Sequence, residues 1–441
     1  MHRTLPTLAS CTLLLLGLAP VAAGQEGIGP DPDGPPSITT LSRVIELARR
    51  DNPRLRAARA LAEARDASRS WVGLLPDPRI QLGMMNLSLP GLDADMPSSM
   101  APSIQLTQVL PFPGKLGLEG RMADRTAEMA RADADERWWR VRARVAAAFW
   151  NLYAADRRLE VLRETRTRLE GFEDAARALY EAGTGRQTDV LQARVEVARA
   201  AADIARARAA RSGAEVRLNG LLDRPASTPI PPPVASDLPA ELPSGDSLRV
   251  WAEMYRPAVA RDRLAVRRAE TGTARAGREI WPDLTLGAAY GQRSLGGGVQ
   301  RMASFTVGFQ LPIFAGRRQL RLRDEAASME AVARAELAET RALVDARTGE
   351  ILSDLARTRE LLRLYRQEVL PEAGAAVESA FASYRVGAVD FGTLVSAQTT
   401  LDRYEREFHD LVAEYGRSVA DLEATLGREL PTTRAIDPEI P

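Results

Sequence analysis

The stretch YEAGTGRQTDVLQA at residues 180–193 recurs as YRVGAVDFGTLVSA at residues 384–397. In both copies a tyrosine stands three residues before a glycine, Gly183 or Gly387, and these glycines lie 204 residues apart. Two further pairs keep nearly this offset: Leu75-Pro76-Asp77 with Trp281-Pro282-Asp283, and Leu110-Pro111-Phe112 with Leu311-Pro312-Ile313. Landmarks that recur in one order predict a duplicated unit of roughly 200 residues, too long for a solenoid repeat.

The duplication divides the chain into segments. We predict a first structural repeat over residues 37–222 and a second over residues 246–427, each made of a helix, a β-hairpin and a long helical hairpin. A proline-rich linker, residues 223–245, separates them, and residues 428–441 form a tail. The opening helices are expected as single segments over residues 41–72 and 248–278.

Residues 1–24 are typical of an export signal. A short polar start precedes the apolar core CTLLLLGL at residues 11–18, and small residues follow at 21–24. Such a core is too short to span a bilayer, so we expect cleavage after Ala23 or Gly24. Cys11 is the chain's only cysteine and stands at the start of the apolar core rather than after it, so lipid attachment is not expected, and the mature chain would have no thiol chemistry.

Two segments in each repeat alternate apolar and polar residues as β-strands do, giving hairpins at 78–110 and 283–311. The apolar positions are Ile80, Leu82, Met84, Ile104, Leu106, Leu284, Leu286, Ala288, Tyr290, Phe305, Val307, Phe309 and Leu311. An apolar face opposite a small or polar face suits a strand between lipid and water, although a half-buried soluble sheet has the same period.

Long helices are the stronger signal. No glycine or proline interrupts the chain between Gly120 and Gly171, and apolar residues advance by three and four. The seam runs through Trp138, Val141, Val145, Ala148, Leu152, Ala155, Leu159 and Leu162, and in the second repeat through Leu401, Tyr404, Phe408, Leu411, Tyr415 and Leu422. This heptad pattern predicts left-handed supercoiling of the helices. At 1.5 Å per residue, a helix from Gly114 to Gly183 would be about 100 Å long. Pro371 should kink or break the second long helix.

Four strands per chain cannot close a membrane barrel, because every strand edge in lipid must be paired. Two copies would supply eight strands, which side chains would fill, and three would supply twelve, which leaves an aqueous lumen. The fold class we predict is therefore mainly α with a β-barrel contribution.

Composition argues against catalysis and nucleic-acid binding. The chain has 59 basic and 59 acidic residues, so it lacks the basic excess of a nucleic-acid binder. No catalytic, cofactor or metal constellation is recognised. Of the two histidines, His409 next to Asp410 is interpreted as a surface pair, since one histidine supplies too few ligands for a zinc site.

With the duplication, the Tyr-x-x-Gly turns and the segment Leu110-Pro111-Phe112-Pro113-Gly114-Lys115, the chain resembles TolC-type outer-membrane efflux proteins from about Ser37 to Gly427. The resemblance implies a homotrimer in the outer membrane, with a twelve-stranded barrel and a periplasmic helical tunnel. It also implies a periplasmic adaptor and an inner-membrane pump as partners, the LPFPGK segment being most similar to members that work with heavy-metal pumps of the resistance–nodulation–division type.

The resemblance places the two turns at the periplasmic tips of the tunnel, where adaptors dock and the pore is gated. The candidate residues are Tyr180, Gly183, Arg186, Asp189, Tyr384, Gly387, Asp390 and Thr393. Each glycine would supply a left-handed helix stop, and the charged residues either cap helices or contact the gate. A function of another class stays open: a periplasmic coiled-coil adaptor or scaffold that never enters the membrane.

Overall fold

The computed structural model describes residues 40–85, 100–235, 238–239, 241–295 and 298–431, and the side chains of these residues apart from 85, 100, 101 and 293–295. The predicted export signal and most of the predicted tail lie outside the described residues. The helices are α1 Leu41–Asp51, α2 Pro53–Ser68, α3 Lys115–Glu181, α4 Gln187–Leu221, α5 Gly245–Tyr255, α6 Pro257–Arg278, α7 Gln319–Leu364, α8 Leu370–Arg385 and α9 Phe391–Leu426. The strands are β1 Arg79–Met85, β2 Met100–Leu110, β3 Leu284–Leu295 and β4 Gly298–Phe309. The mainly helical character is confirmed.

The two hairpins join into one antiparallel sheet in the order β1-β2-β3-β4. Its central pairing, β2 with β3, connects the two repeats, with Leu106 opposite Ala288. Among the described strands, β1 and β4 each have one neighbour, so the outer edge of each is unpaired. Unpaired edges of this kind can accept another strand.

Registry places the alternating residues on common faces. Ile80, Leu106, Ala288 and Phe305 lie in one cross-strand row, and Leu110, Leu284 and Phe309 lie in another row on the same face. The opposite face carries polar and small residues, among them Gln81, Thr107, Gly287 and Thr306. The apolar face is largely exposed in the single chain, with Phe305 85% exposed.

The predicted helical seam forms the core. Val145, Leu152, Phe408 and Tyr415 are buried in one cluster, where α3 packs on α9. With 67 residues, α3 is about 100 Å long. Of the part of the chain the structure describes, no helix is long and apolar enough to cross a membrane.

Each continuous long helix packs against a partner made of two pieces. Helix α3 contacts α2 in one part of its length and α4 in another, while α7 contacts α6 and α9. The repeats also contact each other through α3, which packs on both α6 and α9. The result is a four-helix packing in which two members are split.

The expectation of single opening helices is wrong. Proline at residue 53 and at residue 257 begins a new helix, because its ring disfavours a helical residue before it. Asn52 and Arg256 are extended there, and the Asn52 side chain accepts from the amides of Arg54 and Leu55. The side-chain amide of Asn52 also donates to the Leu221 carbonyl at 2.8 Å, which fastens this break to the end of α4.

Pro371 produces a third feature. A π-helical turn, Tyr365–Val369, stands between α7 and α8, and the proline lies in the first turn of α8. The helix does not break at Pro371: Leu364, Tyr365, Val369 and Leu370 keep helical backbone angles, and the chain continues through one widened turn. The wider turn makes room for the proline ring and tolerates the hydrogen bond that is missing because proline has no amide hydrogen.

The described residues of the segment that connects the repeats pack on the helices. Ile230 and Leu238 are buried in the main core. Tyr415 donates its hydroxyl to the Pro239 carbonyl at 2.6 Å, and Asn219 donates to the Thr228 carbonyl at 2.8 Å. The predicted division of the chain into two repeats, a linker and a tail stays a prediction.

The interpretation of His409 and Asp410 as a surface pair is wrong. His409 is buried, with its Nδ1 3.4 Å from the Tyr153 hydroxyl, and burial lowers its pKa to about 4. Asp410 instead accepts from Arg158 of α3 at 2.8 Å. Adjacent side chains on a helix point about 100° apart, so His409 faces the core while Asp410 faces its edge.

Candidate functional site at the helical turns

Both turns reverse the chain through a glycine with a left-handed backbone. Gly183 has φ +74° and donates to the Tyr180 carbonyl at 3.0 Å, and Gly387 has φ +76° and donates to the Tyr384 carbonyl at 3.0 Å. A Cβ added at either glycine would meet no atom within 4 Å. The backbone angle therefore requires glycine here, and crowding does not.

The helices that follow the turns begin differently. The Asp390 carboxylate accepts from the Thr393 amide at 2.7 Å and from its hydroxyl at 3.0 Å, which caps α9. These bonds hold the pKa of Asp390 below its usual value, and Arg186 lowers it further. Arg186 occupies the equivalent N-cap of α4 and makes no capping bond. The same structural position thus carries opposite charges in the two repeats.

A hydrogen bond joins the two turns to each other. The Tyr384 hydroxyl donates to the Asp189 carboxylate at 3.3 Å, across from the end of α8 to the first turn of α4. Tyr384 is buried and its ring lies 5.4 Å from that of Phe391, edge to face. Burial raises the pKa of Tyr384 to about 12, with Asp189 adding to the shift, so the tyrosine stays a donor at neutral pH. Tyr180, its counterpart in the first repeat, is 47% exposed.

The turns share an open groove of about 530 Å³. Five candidates line it: Arg186, Asp189, Tyr384, Gly387 and Asp390. Tyr180, Gly183 and Thr393 do not line it, although Thr393 holds Asp390. Sequence reasoning missed Val386, which lines the groove and is 79% exposed, and its signal would have been an apolar residue directly before a turn glycine.

A buried cluster behind the turns holds them in place. Phe172 of α3 packs on Phe381 of α8 with ring centroids 5.0 Å apart, and Val190 and Leu394 of the return helices are buried with them. The cluster draws side chains from α3, α4, α8 and α9, so both turns rest on one shared core.

Farther from the turns, buried polar pairs connect α3 to α9. Thr165 donates to Asp402 at 3.0 Å, and Arg168 donates to Glu405 at 3.1 Å. Burial raises the pKa of Glu405, while Arg168 opposes that shift. Sequence reasoning did not find these pairs, because their members lie 237 residues apart.

Solved outer-membrane channels have this fold. CusC, whose structures concern transmembrane channel formation, superposes with a TM-score of 0.76 at 17% identity, covering 88% of this chain and 92% of that one. VceC, an outer membrane protein of Vibrio cholerae, gives 0.73 at 16% identity, covering 88% and 96%. The open state of the Neisseria gonorrhoeae channel MtrE gives 0.72 at 20% identity, covering 88% and 89%. The fold is therefore that of outer-membrane channel subunits.

The family follows from the sequence itself. The family model of outer membrane efflux proteins matches residues 44–224 and 252–428, and the chain belongs to this family. A comparison with curated proteins finds no significant match. Membership confirms the resemblance and the outer-membrane location, and it supports an efflux channel over a soluble adaptor or scaffold. The family is one of channel proteins rather than enzymes.

Proposed function

We propose that three copies of this chain form the outer-membrane channel of a tripartite export system. Each copy contributes four strands to a twelve-stranded barrel and its long helices to a periplasmic tunnel. The two helical turns form the periplasmic end, where an adaptor docks and the path is gated. An inner-membrane pump, of the resistance–nodulation–division type, would load small molecules or metal ions into the path.

The observation that carries this proposal is the sheet. Its apolar residues share one face across both hairpins, and its polar and small residues share the other. Exposing such a face to water costs about 25 cal/mol per Å², whereas acyl chains would cover it. The polar face with residues such as Gln81, Gln105 and Thr306 suits an aqueous lumen.

Fractionation and conductance together test the membrane assignment. Expressed with its signal in a Gram-negative host, the protein should stay in the outer-membrane fraction until detergent is added. Purified protein should be a trimer by light scattering and should carry ion current across a planar bilayer. Release without detergent, or a detergent-purified trimer that carries no current, would refute the channel assignment.

The bond between Tyr384 and Asp189 is the proposed latch of the gate. It joins two hairpins whose separation would widen the tunnel end, and a neutral phenol remains bonded over the physiological pH range. The fold offers a matched control in Tyr180, which occupies the equivalent place and is exposed, and whose hydroxyl makes no hydrogen bond to any described residue.

Conductance of two phenylalanine variants tests the latch. Tyr384→Phe removes one hydroxyl and keeps the buried ring, so we expect more frequent openings or a higher conductance. A lost hydrogen bond to a charged group corresponds to roughly 1.5–3 kcal/mol, which could shift a two-state gate more than tenfold. Tyr180→Phe should behave as the unmodified protein. Equal gating in all three proteins would show that the bond does not hold the gate.

A further inference from the structure

A clasp holds the two repeats together where helices meet the sheet. Lys115 of α3 is buried, and its Nζ donates to Asp283 at 2.8 Å, next to the start of β3. Asp283 also accepts from the Phe112 amide at 2.8 Å. Beside these bonds the rings of Phe112 and Trp281 stack, with centroids 5.3 Å apart and planes 11° apart. We call this set the inner clasp.

The chain contains every part of a second clasp, but unassembled. Leu75-Pro76-Asp77 repeats Trp281-Pro282-Asp283, and LPIFAGR at residues 311–317 repeats LPFPGK at residues 110–115 with one residue more. Asp77 therefore corresponds to Asp283, and Arg317 corresponds to Lys115. Both are exposed, and neither has an ion-pair partner among the described residues.

The apolar parts of this second clasp are also uncovered. Leu75 takes the place of Trp281 and is 55% exposed, while Ile313 takes the place of Phe112 and is 79% exposed. The two halves stand at opposite edges of the sheet, Leu75 and Asp77 before β1 and the LPIFAGR segment after β4. Within one copy they are separated by the full width of the sheet, so one copy cannot close the second clasp on itself.

The free strand edges give an independent check. The pairing of β2 with β3 can be transferred to β4 and β1, because β4 repeats β2 and β1 repeats β3. The transferred register sets Phe309 of β4 opposite Ile80 of β1, and Val307 opposite Leu82. All four residues lie on the apolar face of their own hairpins. A register wrong by one residue would have set apolar against polar residues.

We infer that a second copy of this chain fills this interface: β4 of one copy pairs with β1 of the next in that register, and Arg317 bonds Asp77 across the boundary. Leu75 then packs on Ile313 in place of the stacked aromatic rings. The inference rests on the proposed trimer and adds the residues that close it.

Cysteine cross-linking tests the register. In a Cys11→Ser background, Gly308→Cys with Gln81→Cys joins positions predicted to face each other, and oxidation should give covalent dimers and trimers. Gly308→Cys with Ile80→Cys is shifted by one residue and should give none. Gln105→Cys with Ala289→Cys, which pair within the chain, should cross-link without forming multimers. Multimers from the shifted pair, or none from the matched pair, would overturn the register.

Charge exchange tests the clasp. In the matched cysteine background, Asp77→Arg sets two cations together and should reduce cross-linked trimer roughly tenfold. Adding Arg317→Asp should restore it, while adding Arg318→Asp should not. Rescue by Arg318→Asp, or no loss with Asp77→Arg, would overturn the assigned pair.

The two proposals fail separately. Trimers that conduct ions but lack these cross-links would refute the interface and leave the channel intact. Cross-linked trimers that carry no current would support the interface and refute the channel.

Discussion

Helices α3 and α9 lie close together at Gly416, and an added methyl group there tests how tightly these two helices pack. A Cβ at Gly416 would lie 2.5 Å from Nε1 of Trp150 and closer still to Cδ2 and Cε2. Trp150 is fully buried, so its ring has no free space to move into. Carbon atoms in contact prefer about 3.5–4.0 Å, and the helices must therefore separate by about 1 Å or more.

We expect Gly416→Ala to lower the free energy of unfolding. Overpacking a core costs about 1–3 kcal/mol, while replacing a helical glycine by alanine returns about 0.5–1 kcal/mol. The net loss should be about 1–2 kcal/mol. Gly349 of α7 is the matched control, because it is exposed and a Cβ there meets nothing within 4 Å. Gly349→Ala should therefore raise stability.

Guanidinium chloride unfolding of the detergent-purified protein, followed by near-ultraviolet circular dichroism, measures both variants. The transition midpoint should fall for Gly416→Ala and stay or rise for Gly349→Ala. Equal midpoints would refute the close approach of α3 and α9 at this position. A lower midpoint for Gly349→Ala would instead question the packing of α7.

Three further predictions use other parts of the fold. His409 takes a proton near pH 6.5 in the unfolded chain and only near pH 4 in the folded one. The free energy of unfolding should therefore fall by about 3 kcal/mol as the pH is lowered from 6.5 to 4. Denaturation of His409→Gln over the same pH range should show a smaller loss. Gly183→Val and Gly387→Val should each cost about 1–2 kcal/mol for the left-handed backbone without a clash, so membrane trimers should persist while export and adaptor cross-linking decline; loss of the trimers would show that the glycines serve only the fold. Lys115→Met should destabilise by about 1–3 kcal/mol, because Asp283 loses its buried cation, and an unchanged thermal transition would contradict the inner clasp.

Periodic features of this chain could be predicted from its sequence, and contacts between distant segments could not. The structure confirms the alternating strand residues, such as Leu82 and Phe305, and the helical seam through Val145 and Leu152. Both could be predicted because alternation and heptads are local patterns. The break at Pro53 was also signalled locally, by a proline after asparagine.

At the candidate site, the glycine conformations were predictable and the partners were not. A glycine at the end of a helix predicts a positive φ from the turn alone. The bond from Tyr384 to Asp189 joins residues 195 apart, and nothing local distinguishes Tyr384 from the exposed Tyr180. The side of the helix that His409 faces was likewise decided by α3, which supplies a cation to Asp410.

The opposite charges of Arg186 and Asp390 have a consequence for how such a chain arose. A ring assembled from six identical single repeats would carry the same N-cap residue at every turn, all cationic or all anionic, and like charges would repel around the opening. Fusing two repeats into one gene frees each copy to mutate separately. In the proposed trimer, three fused chains would alternate cation and anion around the ring of turns, which six identical repeats could not do. Duplication would thus replace sixfold symmetry by charge complementarity at the proposed periplasmic end.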